Sequence, residues 1–400
     1  MAEQVDPRLT VRLQLLGRDI TTVKSYTITS SYMTSTDGWE VMLYDTRREN
    51  LRGLEMQPVE LLINDCSQVL GRVEVTDIGG DGSAVTVRGR DFIADLVECS
   101  VDPSVKIKAG VTVADAITLA AGPVGIDTVV SDDDIAMRDI RSGKEVTKPG
   151  KALKKFLDGK LDEYKPQPGE GVFAFCDRIA ARQGVTIQPG NTRHTIVLAR
   201  PRYDQAALYK IRRLAGDDAS PNNNIVSAQA TRDYTSFPTF CFFTGKTGRA
   251  GKSKTGTDIS FTTAALTAEI GGELAETLDL FAFKNRIKPN EGNPSARGSL
   301  LYRLLYSRDE QSRNQDQLER AALRGIAERL KETLRYEVTL RGHADPETGA
   351  NWAIDTIVHV IDEVCGIDEP LWIEERVFSY SEGSGATTKI VCWRPGSFQI

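Results

Sequence analysis

Histidine is scarce here. There are three in 400 residues, His194, His343 and His359, far apart and without a His-Glu-x-x-His pair, so zinc chemistry of the common hydrolase type is not expected. Cysteine is dispersed. Cys66, Cys99, Cys176, Cys241, Cys365 and Cys392 form no Cys-x-x-Cys pair, and five of them sit among apolar residues in expected strands or helices. That pattern reads as buried free thiols rather than disulfides or a metal cluster. No window approaches about 18 uncharged apolar residues, so no membrane span is expected. The N-terminal Met-Ala-Glu-Gln-Val-Asp-Pro is acidic and polar, unlike a secretory signal. An excess of basic charge is missing too. The 50 basic and 56 acidic side chains leave a net charge of −6, enough for solubility and too acidic for a general nucleic-acid binder. No short-period repeat is visible.

What is present is β structure at both ends. Val11, Leu13 and Leu15 alternate with Arg12 and Gln14, and Val59, Leu61 and Ile63 repeat the pattern. Val69 to Ile78 and Ala84 to Arg88 flank Gly79-Gly80-Asp81-Gly82, a hairpin turn because glycine accepts positive φ. Gly89 is expected to stop that strand, and Asp91 to N-cap a helix over 91–99 that covers one end of a small barrel. Thr112 starts a helix to residue 121, and Val172 to Ala180 form an amphipathic helix ended by Gly184. Strands Val185–Gln188 and Thr195–Ala199 follow. Ile225–Arg232 and Phe237–Thr244 read as strands, and a long helix spans about 310–334. Tyr336–Leu340, Trp352–Ile361, Ile373–Tyr380 and Thr387–Trp393 close the chain as strands. The expected fold class is α+β, multidomain and mainly β. An N-terminal β-barrel at 1–102 precedes a mixed α/β middle at 103–203. An irregular β segment at 204–290 leads to a C-terminal helix plus β-barrel at 291–400.

Several constellations invite chemistry, and each has a plainer reading. Gly245 to Ser253 ends in Gly-Lys-Ser, but the first glycine of a phosphate-binding loop falls on Lys246, and no helix follows. A solvated loop is the plain alternative. The sharper one is a cationic tip of Lys246, Arg249, Lys252 and Lys254 facing a channel, where it meets DNA phosphates or an acidic partner without reading sequence. Ser131-Asp132-Asp133-Asp134 lacks the alternation and central glycine of a calcium loop. Glu374-Glu375 and Asp362-Glu363 are adjacent, so in strands their side chains point to opposite faces. His343 with Asp345 lies in a turn-rich loop and reads as a satisfied surface histidine. Trp39, Trp352, Trp372 and Trp393 all fall at expected strand positions, where core or interface packing is the default. No catalytic, metal or cofactor set emerges, and no enzyme is expected.

Val-Arg-Gly-Arg-Asp-Phe-Ile-Ala-Asp-Leu-Val-Glu-Cys-Ser at 87–100 and Pro-Gly-Glu-Gly-Val-Phe-Ala-Phe-Cys-Asp-Arg-Ile-Ala at 168–180 are the longest of a series of motifs. Tyr-Glu-Val-Thr-Leu-Arg-Gly-His at 336–343, Asn-Trp-Ala-Ile-Asp-Thr at 351–356 and the terminal Ser-Glu-Gly-Ser-Gly-Ala-Thr-Thr-Lys-Ile complete it. In this order the chain resembles the baseplate hub proteins of Mu-like contractile phage tails. Residues 240–285 are longer and richer in glycine than that pattern. The resemblance implies a structural homotrimer in which each chain gives two related β-barrel (tube-type) domains to a ring with pseudo-sixfold symmetry. It implies a central spike, a tail tube protein, baseplate wedge proteins and a tape-measure protein as partners. It also implies transient DNA contact in the channel, no membrane insertion, no cofactor, and a place in the virion tail baseplate after assembly in the host cytoplasm. The alternatives are the equivalent hub of a bacteriocin or secretion machine, or a hub-borne cell-wall hydrolase.

Overall fold

The computed structural model describes residues 11–15, 18–20, 23–44, 54–79, 84–131, 137–138, 145–146, 161, 163–182, 184–190, 192–203, 205–216, 223–236, 240–245, 258–262, 304–309 and 315–397. The N-terminal strands are β1 (Val11–Leu15), β2 (Arg18–Ile20), β3 (Val23–Ser31), β4 (Gly38–Tyr44), β5 (Pro58–Ile63), β6 (Cys66–Ile78) and β7 (Ala84–Asp91). Strict alternation drives them. Val59, Leu61 and Ile63 of β5 are buried, whereas Glu60 and Leu62 are half-exposed, so one face meets the core. Gly89 does not stop β7; the strand runs on to Asp91. A Cβ there would lie 1.9 Å from the Arg72 carbonyl oxygen and 3.0 Å from the Trp39 indole. Glycine serves close approach, not termination.

The middle section holds α1 (Ile93–Glu98), α2 (Val113–Ala121), β8 (Thr128–Ser131), β9 (Met137–Arg138), β10 (Glu145–Val146), α3 (Val172–Arg182), β11 (Thr186–Pro189) and β12 (Thr195–Ala199). Thr112 caps α2 as expected, accepting from the Asp115 amide. Asp91 acts one step early: α1 starts at Ile93, and the Asp91 carboxylate accepts the Ile93 amide at 3.0 Å. The helix does not cover a barrel. Ile93 and Leu96 join α2, α3 and β12 in a second core, separate from that of the large sheet.

The C-terminal section continues with β13 (Tyr209–Arg213), β14 (Ile225–Thr231), β15 (Phe240–Gly245), β16 (Asp258–Thr262), β17 (Leu304–Asp309), α4 (Gln315–Thr333), β18 (Arg335–Arg341), β19 (Ile357–Asp362), β20 (Ile367–Ser381) and β21 (Gly385–Trp393). Trp352 is not in a strand. It lies before β19, fully buried, its ring 4.8 Å from that of Tyr209.

Both ends of the chain build one 13-stranded sheet, ordered β14-β18-β21-β20-β3-β4-β7-β6-β5-β1-β2, with β19 on the side of β20 and β13 on β19. Among the described residues no strand path closes, so the expectation of closed barrels is corrected to one open, continuous sheet over one core. A pattern inside the sheet occurs twice. Strands β3-β4-β7-β6-β5 and β14-β18-β21-β20-β19 share one order, first-second-fifth-fourth-third in chain sense, with every pairing antiparallel. Irregularities recur at matching places. The first strand bulges between Val23 and Ser25 and again between Ile225 and Ser227; the fourth bulges between Val73 and Val75 and again between Ile373 and Glu375. Met56 and Asp355, each just before the third strand, both take positive φ, 64° and 56°. Residue types differ at nearly all these positions, so geometry alone carries the duplication.

Cysteine burial is mixed rather than uniform. Cys176 and Cys392 are buried, Cys365 is half-buried, and Cys66 and Cys99 are exposed.

Candidate assembly surface

The two halves of the sheet meet where β3 lies antiparallel on β20, Ser25 opposite Ser381 and Ser31 opposite Glu375. Beneath this seam Arg376 is buried. It donates to Gln68 Oε1 at 3.0 Å, to the Trp352 carbonyl at 2.8 Å and to Ser30 Oγ at 2.9 Å, and its guanidinium stacks 4.2 Å from the Phe378 ring centre. Burial pulls its pKa down to about 10, against the pull of Asp37. Asn351 ties the halves again, joined to Asn64 at 2.7 Å and donating to the Ile63 carbonyl at 2.9 Å. Buried polar bonds thus span segments about 300 residues apart, and removing one partner would leave the other unpaid in the core.

His343 corrects the reading of a surface residue. It is fully buried, its ring 4.7 Å from that of Phe378, with the Tyr26 hydroxyl 2.5 Å from Nε2 and Thr388 Oγ1 3.1 Å from Nδ1. Thr388 spends its one proton on the Gly342 carbonyl at 2.6 Å. Nδ1 therefore carries the hydrogen and Nε2 accepts from Tyr26. Burial, helped by Arg376, drives the imidazole pKa down to about 3. Fully buried and with so low an affinity for a proton, this ring serves packing and hydrogen bonding.

At the mouth of the seam, Asp91 accepts the Asp37 amide at 2.9 Å while its own amide donates to the Asp37 carbonyl at 3.0 Å. Burial lifts both acids, Asp37 to about 6 and Asp91, with repulsion from Asp37 added, to about 7. The same β3–β4 loop seats the middle section: Thr186 donates to the Tyr32 hydroxyl at 3.0 Å and Gln188 to the Tyr32 carbonyl at 3.2 Å. The paired carboxylates form no cleft. Asp362 is held by Arg213 at 2.7 Å, and Glu374 accepts from Ser31 at 2.5 Å.

The face of the sheet turned away from the core is rich in hydroxyls: Ser25, Thr27 and Thr29 on β3, Ser379 on β20, Thr387 on β21 and Thr339 on β18. Its charges are of both signs, with Lys389 bonded to Glu337 at 2.8 Å. Besides the outer sides of β2 and β13, two stretches of this sheet are free of strand partners among the described residues: the outer side of β14, and the distal half of β6, since β5 pairs only as far as Arg72. Lys246, Arg249, Lys252 and Lys254 fall between β15 and β16, outside the described residues, as do Asp132 to Asp134. The free edges carried no signal in the sequence, because an unpaired strand has the same alternation as a paired one.

No protein-family model matches the chain, and no curated protein matches it in sequence. Solved structures do. The tail protein from Neisseria meningitidis MC58 superposes with a TM-score of 0.66 at 18% identity, over 97% of each chain. The 43 kDa tail protein of prophage MuSo2 from Shewanella oneidensis gives 0.66 at 20% identity, over 97% of this chain and 99% of that one. A chain of the half-lidded Francisella PdpA-VgrG complex gives 0.52 at 8% identity; this chain spans 96% of its own length and 57% of that one. Both tail proteins superpose on this chain from end to end: it has the fold of the tail proteins of Mu-like prophages.

Proposed function

We propose that this chain is a non-enzymatic structural hub of a contractile tail. Three copies would form a ring of six near-equivalent sheet units, joining a threefold central spike to a sixfold tail tube. The observation that carries this reading is the repeated five-strand order, because two like units per chain turn a trimer into a pseudo-hexamer. β14 belongs to the second unit, so that unit spans β13 and β14 as well as residues 291–400. Four strands of each unit, β14-β18-β21-β20 and β3-β4-β7-β6, run side by side. With about 4.8 Å between strands, three chains would give a wall about 115 Å around and roughly 37 Å across, wider if the strands tilt. A hydroxyl-rich face of mixed charge suits a lumen through which a polyanion slides without sticking.

Wedge, tape-measure and tube proteins are the further partners this reading names, in a virion baseplate assembled in the host cytoplasm. The tip of Lys246, Arg249, Lys252 and Lys254 would supply transient, sequence-independent DNA contact. Likeness to a chain of the PdpA-VgrG complex favours, as second reading, the same ring in a secretion or bacteriocin machine. Light scattering with class-averaged electron micrographs tests both. A trimer with a central hole is expected; a monomer at all concentrations refutes the ring. Zymography on peptidoglycan tests the hydrolase alternative, and a clear band lost on mutating a carboxylate would replace the structural reading.

A further inference from the structure

The seam inside the chain is a pattern for the contact between chains. In the second unit, the fourth strand β20 is covered by β19 only over Ile367–Trp372; its remaining half, Glu375–Ser381, takes β3, the first strand of the other unit. In the first unit, the fourth strand β6 is covered by β5 only over Cys66–Arg72. The rest of β6 has no strand on that side among the described residues, and neither has β14, the first strand of the second unit. The slot and the strand that would fill it both exist, at opposite ends of one run of eight strands.

Matching bulges fix the register. Val73 and Val75 correspond to Ile373 and Glu375, and Ser25 corresponds to Ser227. Ile78 therefore occupies the place of Phe378, which is fully buried opposite Ile28, yet Ile78 is 58% exposed. An apolar side chain so exposed, at a position whose counterpart lies in the core, is a side chain awaiting cover. The place of Ile28 is taken by Ala230.

We infer that β14 of one copy of this chain pairs antiparallel with the distal half of β6 of the next, Ile78 opposite Ala230 and Asp77 opposite Thr231, as Phe378 and Val377 lie opposite Ile28 and Thr29. The inference rests on the ring proposed above. The contact is head to tail, so it propagates around a ring rather than closing a twofold dimer. The Cys365 sulfur now leans on the Ala230 amide; a thiol is a weak acceptor, which a strand carbonyl displaces.

Cysteine cross-linking decides the matter. In full-length chain carrying C66S and C99S, D77C with T231C should give, on mild oxidation, covalent dimers and trimers and nothing larger. V377C with T29C, the same pair inside the chain, should close within one monomer and serves as control. Singly substituted chains mixed together should stop at dimers. I78E, a change at an exposed site, should raise the concentration for half-assembly at least tenfold with an unchanged circular dichroism spectrum. A trimer by light scattering that fails to cross-link while the control closes overturns this interface and leaves the ring standing. A chain that stays monomeric while the control closes overturns the ring, and this contact with it.

Discussion

Acid should weaken the core through His343, and the size of the effect can be worked out. The unfolded chain takes up a proton on this side chain near pH 6.5, whereas the folded one, pKa about 3, resists until far lower pH. A depressed folded pKa means stability present above 6.5 and lost as pH falls. Between pH 7.5 and 5 the loss from this group is about 2 kcal/mol, at about 1.4 kcal/mol for each further unit. Asp37 and Asp91 act the other way, because their pKa values are raised to about 6 and about 7 and the folded state gains protons first. The slope of the wild type alone therefore mixes signs. The difference between wild type and H343Q isolates the histidine, since the glutamine cost does not titrate and the two acids cancel. Urea unfolding at fixed protein concentration, followed by tryptophan fluorescence, is a suitable assay: Trp39, Trp352, Trp372 and Trp393 all report on the large sheet and its core. The deficit of H343Q at pH 7.5 should shrink by about 2 kcal/mol at pH 5. A deficit constant to within about 0.5 kcal/mol would refute the buried, neutral imidazole.

D91N should show the opposite trend. Wild type loses about 2–3 kcal/mol as pH rises from 5 to 8 through the raised Asp91 pKa, so the variant's deficit narrows towards alkaline pH in the same urea assay. G89A should cost about 3 kcal/mol, because the added methyl meets the Arg72 carbonyl and the Trp39 ring in a packed strand pair; an unchanged unfolding midpoint would show that the strands part freely. Charge reversal of Lys246, Arg249, Lys252 and Lys254 together should leave ring assembly intact and impair tail completion or DNA passage, scored by micrographs and infectivity. Wild-type infectivity would dispose of the cationic tip.

Local structure was largely legible from the sequence. The alternation in β5, the Thr112 cap and the Gly184 stop each depend on neighbours a few residues apart, and all lie where the pattern put them. What could not be read was pairing at long range. Nothing in Ser25–Ser31 marks it as the partner of Glu375–Ser381, since a Ser/Thr face suits any open sheet. The surface placement expected for His343 fails for the same reason: its loop is polar in sequence, and only the arrival of Tyr26 and Thr388 from distant strands makes it core. Trp352 packs in the core as expected, although from a loop rather than a strand. A five-strand order repeats within the sheet, but closed barrels do not form among the described residues, where β3 of the first unit lies along β20 of the second.

The two units differ most between their first and second strands. In one, β3 and β4 are joined by the short loop at residues 32–37; in the other, β14 and β18 are separated by about 100 residues that include β15, β16, β17 and α4. Around a ring built as proposed, short and long connections would alternate along a single rim. The wall would repeat every 60°, the rim only every 120°. A symmetry mismatch between two neighbours would then need no separate connecting protein, only one hairpin that grew while its twin did not.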